Sequence, residues 1–388
     1  MPKNTSSKSD KKKPVILQVL PELNAGGVER GTIELAKALQ ISDFTPLVAS
    51  AGGNMVKQLT SAHVEHITLP LASKNPFTIW KNGKRLAKVI KEKNVDIIHA
   101  RSRAPAWSCY FAAKKTGCKF ITTFHGVYSR GSELKNDYNS IMTKGAHVIA
   151  ISEFIEKHIK KYYGVKANNI TVIHRGADLA QFDRKLVPER RILQMDKALR
   201  IEHDKPIILL PGRITRWKGH EFLIDALSKI DKYSFRCLIV GDLNKHPKYV
   251  QQLDKKIENA GLSSIVRIVH NVTDMPALYS LVDIVVSASL RPEAFGRISI
   301  EAQAMERMTV ATNHGGSCET IIDGKTGWLV EPGDADGLAK ILEKLLKISP
   351  RRRKTITSAA KEHVKNNFSL ESMTKATIEL YKKLLKIK

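Results

Sequence analysis

An apolar run, Ile284-Val-Val-Ser-Ala-Ser-Leu290, leads directly into Arg291-Pro-Glu-Ala-Phe-Gly-Arg-Ile-Ser-Ile-Glu301. The run reads as a buried strand, and the segment through Met308 reads as a helix. A strand that feeds straight into a helix belongs to a sheet with helices laid over its faces. Glu293 then falls on the turn, and Glu301 lies more than one turn into the helix. The first N–H groups of a helix have no partner within it and carry partial positive charge, which suits a phosphate. Carboxylates on either side of that phosphate can hold sugar hydroxyls, the grip that a nucleotide-sugar needs. Spacing alone is a weak signal, because any charged helix yields two Glu eight residues apart.

The same alternation runs through the chain. In the first half, strands are expected at 15–20, 45–50, 66–69, 95–100, 120–124, 147–151 and 170–173, with helices at 28–40, 78–93 and 104–116. In the second half, strands are expected at 206–210, 236–240, 266–269, 283–288 and 309–311, with helices at 219–230, 246–260, 276–281, 296–307 and 335–347. Strands alternating with helices imply parallel sheets covered on both faces. The expected fold is therefore α/β, with two Rossmann-like domains facing each other across a cleft and ligands at the C-terminal ends of the strands. We expect a disordered basic tail at 1–13, a first domain at 14–185, a linker at 186–204 and a second domain at 205–365. An amphipathic helix at 366–388 is expected to cross back to the first domain. Chain length, 388 residues, is enough for two full cores.

A second motif, Leu209-Leu-Pro-Gly-Arg213-Ile-Thr-Arg-Trp-Lys218-Gly219, follows the first strand of the second half. Gly212 permits a sharp turn, and an Arg fork with a Lys point charge suits a diphosphate. The plainer reading is a solvated basic turn. Gly26 and Gly27 follow the first strand of the chain, but the pattern is not GxGxxG, so a dinucleotide site is not indicated. Thr122-Thr-Phe-His125-Gly126 closes another strand. His314-Gly315-Gly316-Ser-Cys-Glu319 reads mainly as architecture. Asp334-Ala-Asp336 is literally DxD, but it follows Pro332-Gly333 at a helix start, where Asp is a good N-cap. No other carboxylate or His cluster has metal spacing, and no metal or other cofactor is expected.

Glu293 and Glu301 in this strand–turn–helix setting, together with the Gly212-Arg213…Lys218-Gly219 element and Gly315-Gly316-x-x-Glu319, resemble the retaining glycosyltransferases of family 4, which have the GT-B fold. The resemblance covers nearly the whole chain after the first ~14 residues. It implies that Arg213, Lys218 and the helix start at Phe295, Gly296, Arg297 and Ile298 neutralise a leaving nucleoside diphosphate. Glu293 would hold the transferred sugar and Glu301 the ribose. His125 would position the reacting groups, and Gly26 and Gly27 would cover the diphosphate or the acceptor. Gly26-Gly-Val-Glu-Arg-Gly31 and Arg101-Ser-Arg103-Ala-Pro-Ala-Trp107 are similar to bacterial lipopolysaccharide core glycosyltransferases, with Arg101 and Arg103 on acceptor phosphates or carboxylates. The base is expected near Val272 and Asp274. A carboxylate there suits guanine, so GDP-mannose is favoured over UDP-sugars. Two departures stand out: Glu306-Arg307-Met308 replaces a usual Gly and Xaa-Pro, and Arg175-Gly-Ala-Asp178 replaces Asn-Gly-Val-Asp.

The net charge of +26 calls for an anionic partner. The segment 81–93 carries six positive charges in 13 residues. Either it is a solvated face or it docks on anionic lipid, with Phe77, Ile79 and Trp80 inserting. The expected setting is the inner face of the cytoplasmic membrane, with an anionic glycolipid or saccharide acceptor. No run approaches the ~18 apolar residues of a membrane span. The run 15–20 after the basic tail imitates a signal peptide but is too short. Four cysteines without a CxxC pair suit a reducing compartment, as buried thiols. A nucleic-acid-binding protein would explain the charge, but the chain lacks the usual signatures and no nucleic-acid partner is expected. Three further readings compete: an epimerase of the same fold, a phosphorylase of the same fold, and a transferase acting on another lipid or polysaccharide.

Overall fold

Among the described residues, thirteen parallel strands form two sheets; twelve follow the alternation read from the sequence, and the last, Trp328–Val330, is an edge strand that the sequence reading does not contain. The structure is a computed structural model that describes residues 13–24, 26–128 and 131–387. The expected tail, apart from Lys13, lies outside the described residues.

The first sheet has the order β3-β2-β1-β4-β5-β6-β7. Its strands are β1 (Val15–Val19), β2 (Thr45–Ser50), β3 (Glu65–Thr68), β4 (Val95–Ala100), β5 (Lys119–Phe124), β6 (His147–Ala150) and β7 (Ile170–Val172). The second has the order β10-β9-β8-β11-β12-β13, with β8 (Ile207–Pro211), β9 (Arg236–Gly241), β10 (Val266–His270), β11 (Ile284–Ser287), β12 (Met308–Thr312) and β13 (Trp328–Val330). The central strands are almost wholly buried, as helix-covered parallel strands must be. Strand order reverses between β1 and β4 and between β8 and β11. Ligands of doubly wound sheets bind at such points, beyond the C-terminal strand ends.

The chain divides into two units. One takes in the chain up to Ala150, His158–Val172 and Thr374 onwards; the other is Ile151–Lys157 with Ile173–Met373. The final helix, Leu370–Leu385, starts in the second unit and continues in the first. There Tyr381 is fully buried against Ile16, Leu35, Phe44, Ile97 and Ile121. Its hydroxyl bonds His99 Nδ1 at 2.7 Å, and Thr123 Oγ1 bonds His99 Nε2 at 2.7 Å. Burial, followed by the charge of Arg101, holds His99 well below its ordinary pKa. A neutral imidazole donates through one nitrogen and accepts through the other, so the two hydroxyls satisfy it completely.

Several segments differ from expectation. Residues 186–204, expected as a linker, contain the helix Glu189–Leu199. Only Leu199 of that helix is buried, which is why its pattern reads as solvated chain. Cys109 and Cys237 are buried as expected, but Cys118 is half-buried and Cys318 is exposed. Glu306, at the position where a Gly is usual, keeps the left-handed turn with φ 57°. Asp334 caps the helix Ala335–Leu346 by accepting from Gly337 N at 2.9 Å.

Replacing Tyr381 by Phe leaves a buried His99 nitrogen unpaired. We expect a loss of about 1–3 kcal/mol in urea unfolding, the usual cost of an orphaned buried polar group. An unchanged midpoint would show that the helix is held by packing alone.

Candidate active site

Three loops of the second unit converge at the C-terminal ends of β8, β11 and β12. The loop after β8 turns at Gly212, whose φ of 150° is open only to glycine at low cost. It continues through Arg213 to a short 3-10 turn, Arg216–Lys218. Gly219 follows with φ 73°, and a Cβ there would overlap the carbonyl oxygen of Ala288. Leu290 N donates to Trp217 O at 2.7 Å. The basic loop is therefore fastened to the end of the strand that leads into Glu293.

The loop after β12 fastens the other side. Gly316 N donates to Glu293 O at 2.8 Å, and a side chain at Gly315 or Gly316 would strike the Glu293 or Phe295 backbone. Thr312 Oγ1 and His314 Nε2 both bond Ser289 O at 2.8 Å. Glu319 accepts from Glu153 N and Phe154 N at 2.8 Å and bonds His174 Nε2 at 3.0 Å. Burial pushes the Glu319 carboxyl up, but the His174 bond and the two N–H donors outweigh it and hold the group below its usual range.

At the centre, Lys218 Nζ lies 2.6 Å from Glu293 Oε1, and both side chains are nearly buried. The Ser289 hydroxyl also donates to that oxygen, with Ser287 Oγ at 3.4 Å. Burial pushes the Glu293 carboxyl up; the Lys218 charge, its hydrogen bond and the two hydroxyls pull it down further, so the net shift is downward. Arg213 is exposed beside them, its guanidinium 5.4 Å from the Trp217 ring centroid.

The helix Arg297–Ala304 starts just beyond, after Gly296 at φ 99° and with no side-chain cap. Ile298 Cδ1 and the Lys218 side chain would both lie 3.9 Å from a Cβ on Gly212, so this helix start lies beside the basic loop. Phe295 is buried, with its ring near His174 and Phe368. Glu301 is buried on the helix, 3.1 Å from Arg297 Nη2. The sequence assigns Arg213, Lys218, Glu293, Phe295, Gly296, Arg297, Ile298 and Glu301 to one site, and the second unit brings them together. It gives no sign that Lys218 pairs with Glu293, nor that Ser287 and Ser289 support the carboxylate. The two serines, at alternate positions in 284–290, are the signal that could have shown the latter.

Asp274 is placed differently. Its carboxylate takes the Arg191 fork at 2.8 and 2.6 Å and caps the helix Met275–Leu281 through Ala277 N at 3.1 Å. Both oxygens are thus engaged, which removes the argument for a guanine-reading carboxylate; Val272 is half-buried just before it.

In the first unit, Arg101 is buried at the end of β4, with Nη1 3.2 Å from Gln18 Oε1, and burial pulls its pKa down to about 10. Arg103 bonds Asn139 Oδ1 at 2.6 Å and lies over the Tyr128 ring. The two arginines are therefore built into the fold rather than displayed as a pair. His125 is half-buried just past β5, and Gly26 and Gly27 begin the helix Gly27–Gln40. Among the described residues, no three His, Cys, Asp or Glu side chains cluster as metal ligands.

Residues 25–181 match the Glycosyltransferase Family 4 model, and 192–362 match Glycosyl transferases group 1. A crystal structure of a glycosyltransferase from Rickettsia africae is similar over 97% of this chain and 100% of that one, at 45% identity and TM-score 0.90. The Staphylococcus aureus capsular polysaccharide biosynthesis glycosyltransferase CapM is 30% identical, the match spanning 62% of each chain and so less than two thirds of the relative. A Salmonella typhimurium lipopolysaccharide 1,2-N-acetylglucosaminetransferase is 21% identical over 91% of this chain and 93% of its own. Anabaena HepE, solved with UDP and glucose, shares the fold at 23% identity and TM-score 0.83, covering 95% of this chain and all of its own. The chain belongs to the family 4 glycosyltransferases and has the GT-B fold.

The Lys218–Glu293 pair gives a stability signature. A carboxyl held below its unfolded pKa contributes stability above the unfolded value and loses it as pH falls through the folded one. In Lys218→Met the nearly buried carboxylate loses its cation, so we expect a loss of about 3 kcal/mol at neutral pH. Protonation then relieves Glu293, so the gap to wild type should narrow as pH falls through the carboxylate range. Urea midpoints across that range check this, and a gap independent of pH would contradict it.

Proposed function

We propose that this glycosyltransferase moves a hexosyl group, with retention at the anomeric carbon, from a nucleoside-diphosphate sugar to a hydroxyl of an anionic, membrane-borne glycan of the lipopolysaccharide-core type. The observation that carries the donor site is Lys218 paired with Glu293 beside an uncapped helix start. An amine and free backbone N–H groups at one point form an anion site. Such preorganised electrostatics is often the largest catalytic contribution.

In this reading the bond from the anomeric carbon to the phosphate oxygen breaks while the acceptor oxygen bonds the same carbon from the same face. The departing phosphate oxygen takes the acceptor's proton. Arg213, Lys218 and the N–H groups of Phe295–Ile298 stabilise the leaving charge, Glu293 holds sugar hydroxyls and Glu301 holds the ribose. His125 orients the acceptor hydroxyl, Gly26 and Gly27 supply close backbone approach, and no metal is assigned. A preference for GDP-mannose would rest on Asp274, which Arg191 occupies. UDP, the nucleotide carried by HepE, is therefore the first donor base to test.

Support for the membrane-borne acceptor comes from the helix Pro76–Lys93. Ile79, Asn82, Gly83, Leu86, Ala87 and Ile90 face inward, so Ile79 is not an inserting residue. Phe77, Trp80, Lys81, Lys84, Lys88 and Lys91 are all exposed, and they share the opposite face at helical spacing. The Phe77 and Trp80 rings stack at 6.0 Å, and Lys84 Nζ lies 3.6 Å from the Trp80 centroid. Aromatic rings among cations suit an anionic bilayer surface, at roughly 1 kcal/mol per basic residue. No described helix is long and apolar enough to cross a membrane.

Glu301→Ala should abolish the UDP-induced rise in melting temperature. Arg213→Ala should cut turnover by about 100-fold or more, as loss of one oxyanion-type donor does. Near-normal turnover in Arg213→Ala would remove its leaving-group role. Replacing Lys81, Lys84 and Lys88 by Glu should reduce sedimentation with anionic vesicles while leaving donor binding intact; undiminished sedimentation would remove the docking face.

A further inference from the structure

The second unit holds a cavity of 810 Å³ at the opposite, N-terminal end of its central strands. Its floor is formed where β8, β11 and β12 begin, at Ile207, Asp283 and Arg307. β8 is five residues long, so roughly 16 Å of strand separates this floor from the catalytic turns. Nothing in the donor site reaches it, and the transfer reaction leaves it unexplained.

Its cations are arranged unusually. Arg307 is 7% exposed, with Nε on Met305 O at 2.8 Å and Nη1 on Val282 O at 2.9 Å. Both hydrogen-bond partners are neutral carbonyls, and the two carboxylates that act on it from nearby, Asp283 and Glu306, are themselves bound to other cations. Arg353 and Lys354 enter the cavity from the first turn of the helix Pro350–Asn367. That turn reads Pro350-Arg-Arg-Arg-Lys354 and contains no acid, although the positive end of a helix favours Asp or Glu. Arg184 lines the same space. Burial, followed by the charges of Arg184 and Arg353, pulls the Arg307 guanidinium down to about 10, with the nearby carboxylates Asp283 and Glu306 offsetting part of that shift.

The carboxylates that line the cavity already have partners. Asp283 holds Arg353 at 2.6 Å and Ile207 N at 2.8 Å. Glu306 holds Lys361 at 3.4 Å, and Asp204 holds Arg236 at 3.0 Å. Arg184 and Lys354 pair with no carboxylate among the described residues, and both are exposed. Ile192, Leu281 and Pro350 add apolar surface to the lining. Glu306 stands in the left-handed region at the cavity edge, a conformation that is strained for a residue with a side chain.

We propose that this cavity is a second anion site, which binds a phosphate group among Arg184, Arg307, Arg353 and Lys354 with the attached organic body against the apolar part of the lining. The phosphate belongs either to a soluble phosphorylated metabolite or to a phospholipid headgroup. Arg307 ties the site to the Met305 carbonyl, just past the end of the helix that begins at the catalytic turn.

The test is calorimetric titration of pyrophosphate into the full chain and into Arg184→Ala/Lys354→Ala. Both replaced side chains are exposed, so the variant is expected to fold, as circular dichroism will show; single Arg184→Gln provides a milder second variant. Wild type should show two binding events. The double variant should lose one, or weaken it at least tenfold, and should keep the UDP-induced thermal shift of the donor site. Arg184→Gln should weaken the same event. Sedimentation with phosphatidylcholine vesicles containing phosphatidic acid, compared in a background where Lys81, Lys84 and Lys88 are replaced by Glu so that the basic helix does not contribute, distinguishes the source. Loss of vesicle binding together with pyrophosphate binding identifies a lipid headgroup; loss of pyrophosphate binding alone identifies a soluble phosphate. Isotherms unchanged in both variants would overturn the proposal; a single wild-type event that the double variant loses would place pyrophosphate in the cavity and not in the donor site.

Discussion

The ion pair between Lys218 and Glu293 is the interaction on which the candidate site depends. A nearly buried carboxylate is costly unless it is paired and hydrogen-bonded. Here one amine and two serine hydroxyls meet that need at a single oxygen. The backbone carrying these groups is fixed independently. Gly219 lets the basic loop close on Ala288, Leu290 bonds Trp217, and Gly316 bonds the Glu293 carbonyl. Substitution of a glycine at these contacts would therefore move the charged groups as well as strain a turn.

This arrangement explains how the same residues can serve a leaving diphosphate. Lys218 is held by a carboxylate, so an arriving anion shares an amine that is already oriented and largely desolvated. The helix start at Arg297 adds backbone donors that need no reorganisation. Glu293 stays ionised and can accept hydroxyl hydrogens, which is what holding a sugar requires. The family relationship establishes the glycosyltransferase class, and the local physics gives a reason for Lys218, Glu293 and the helix start in the proposed reaction.

The legible part of the sequence is local. Apolar runs followed by helical periodicity mark the central strands, and the Phe295–Glu301 turn can be placed on strand, loop and helix without coordinates. Glycines at 212, 219, 315 and 316 signal close backbone approach, although not what is approached. Long-range pairings leave no local trace. Asp274 looks available for a ligand because nothing near it in sequence announces Arg191, 83 residues away. The helix Glu189–Leu199 buries one residue, so its pattern is that of solvated chain. Arg307 reads as a departure from a familiar turn; its burial and the cations gathered around it emerge only when 184, 307 and 353 come together.

The most direct measurement of the central claim is a crystal structure of the protein with a bound nucleoside diphosphate. The account predicts the β-phosphate within hydrogen-bond distance of Lys218 Nζ and of backbone N–H groups in 295–298, with the ribose hydroxyls on Glu301. A nucleotide bound with its phosphates away from Lys218 and that helix start would contradict it.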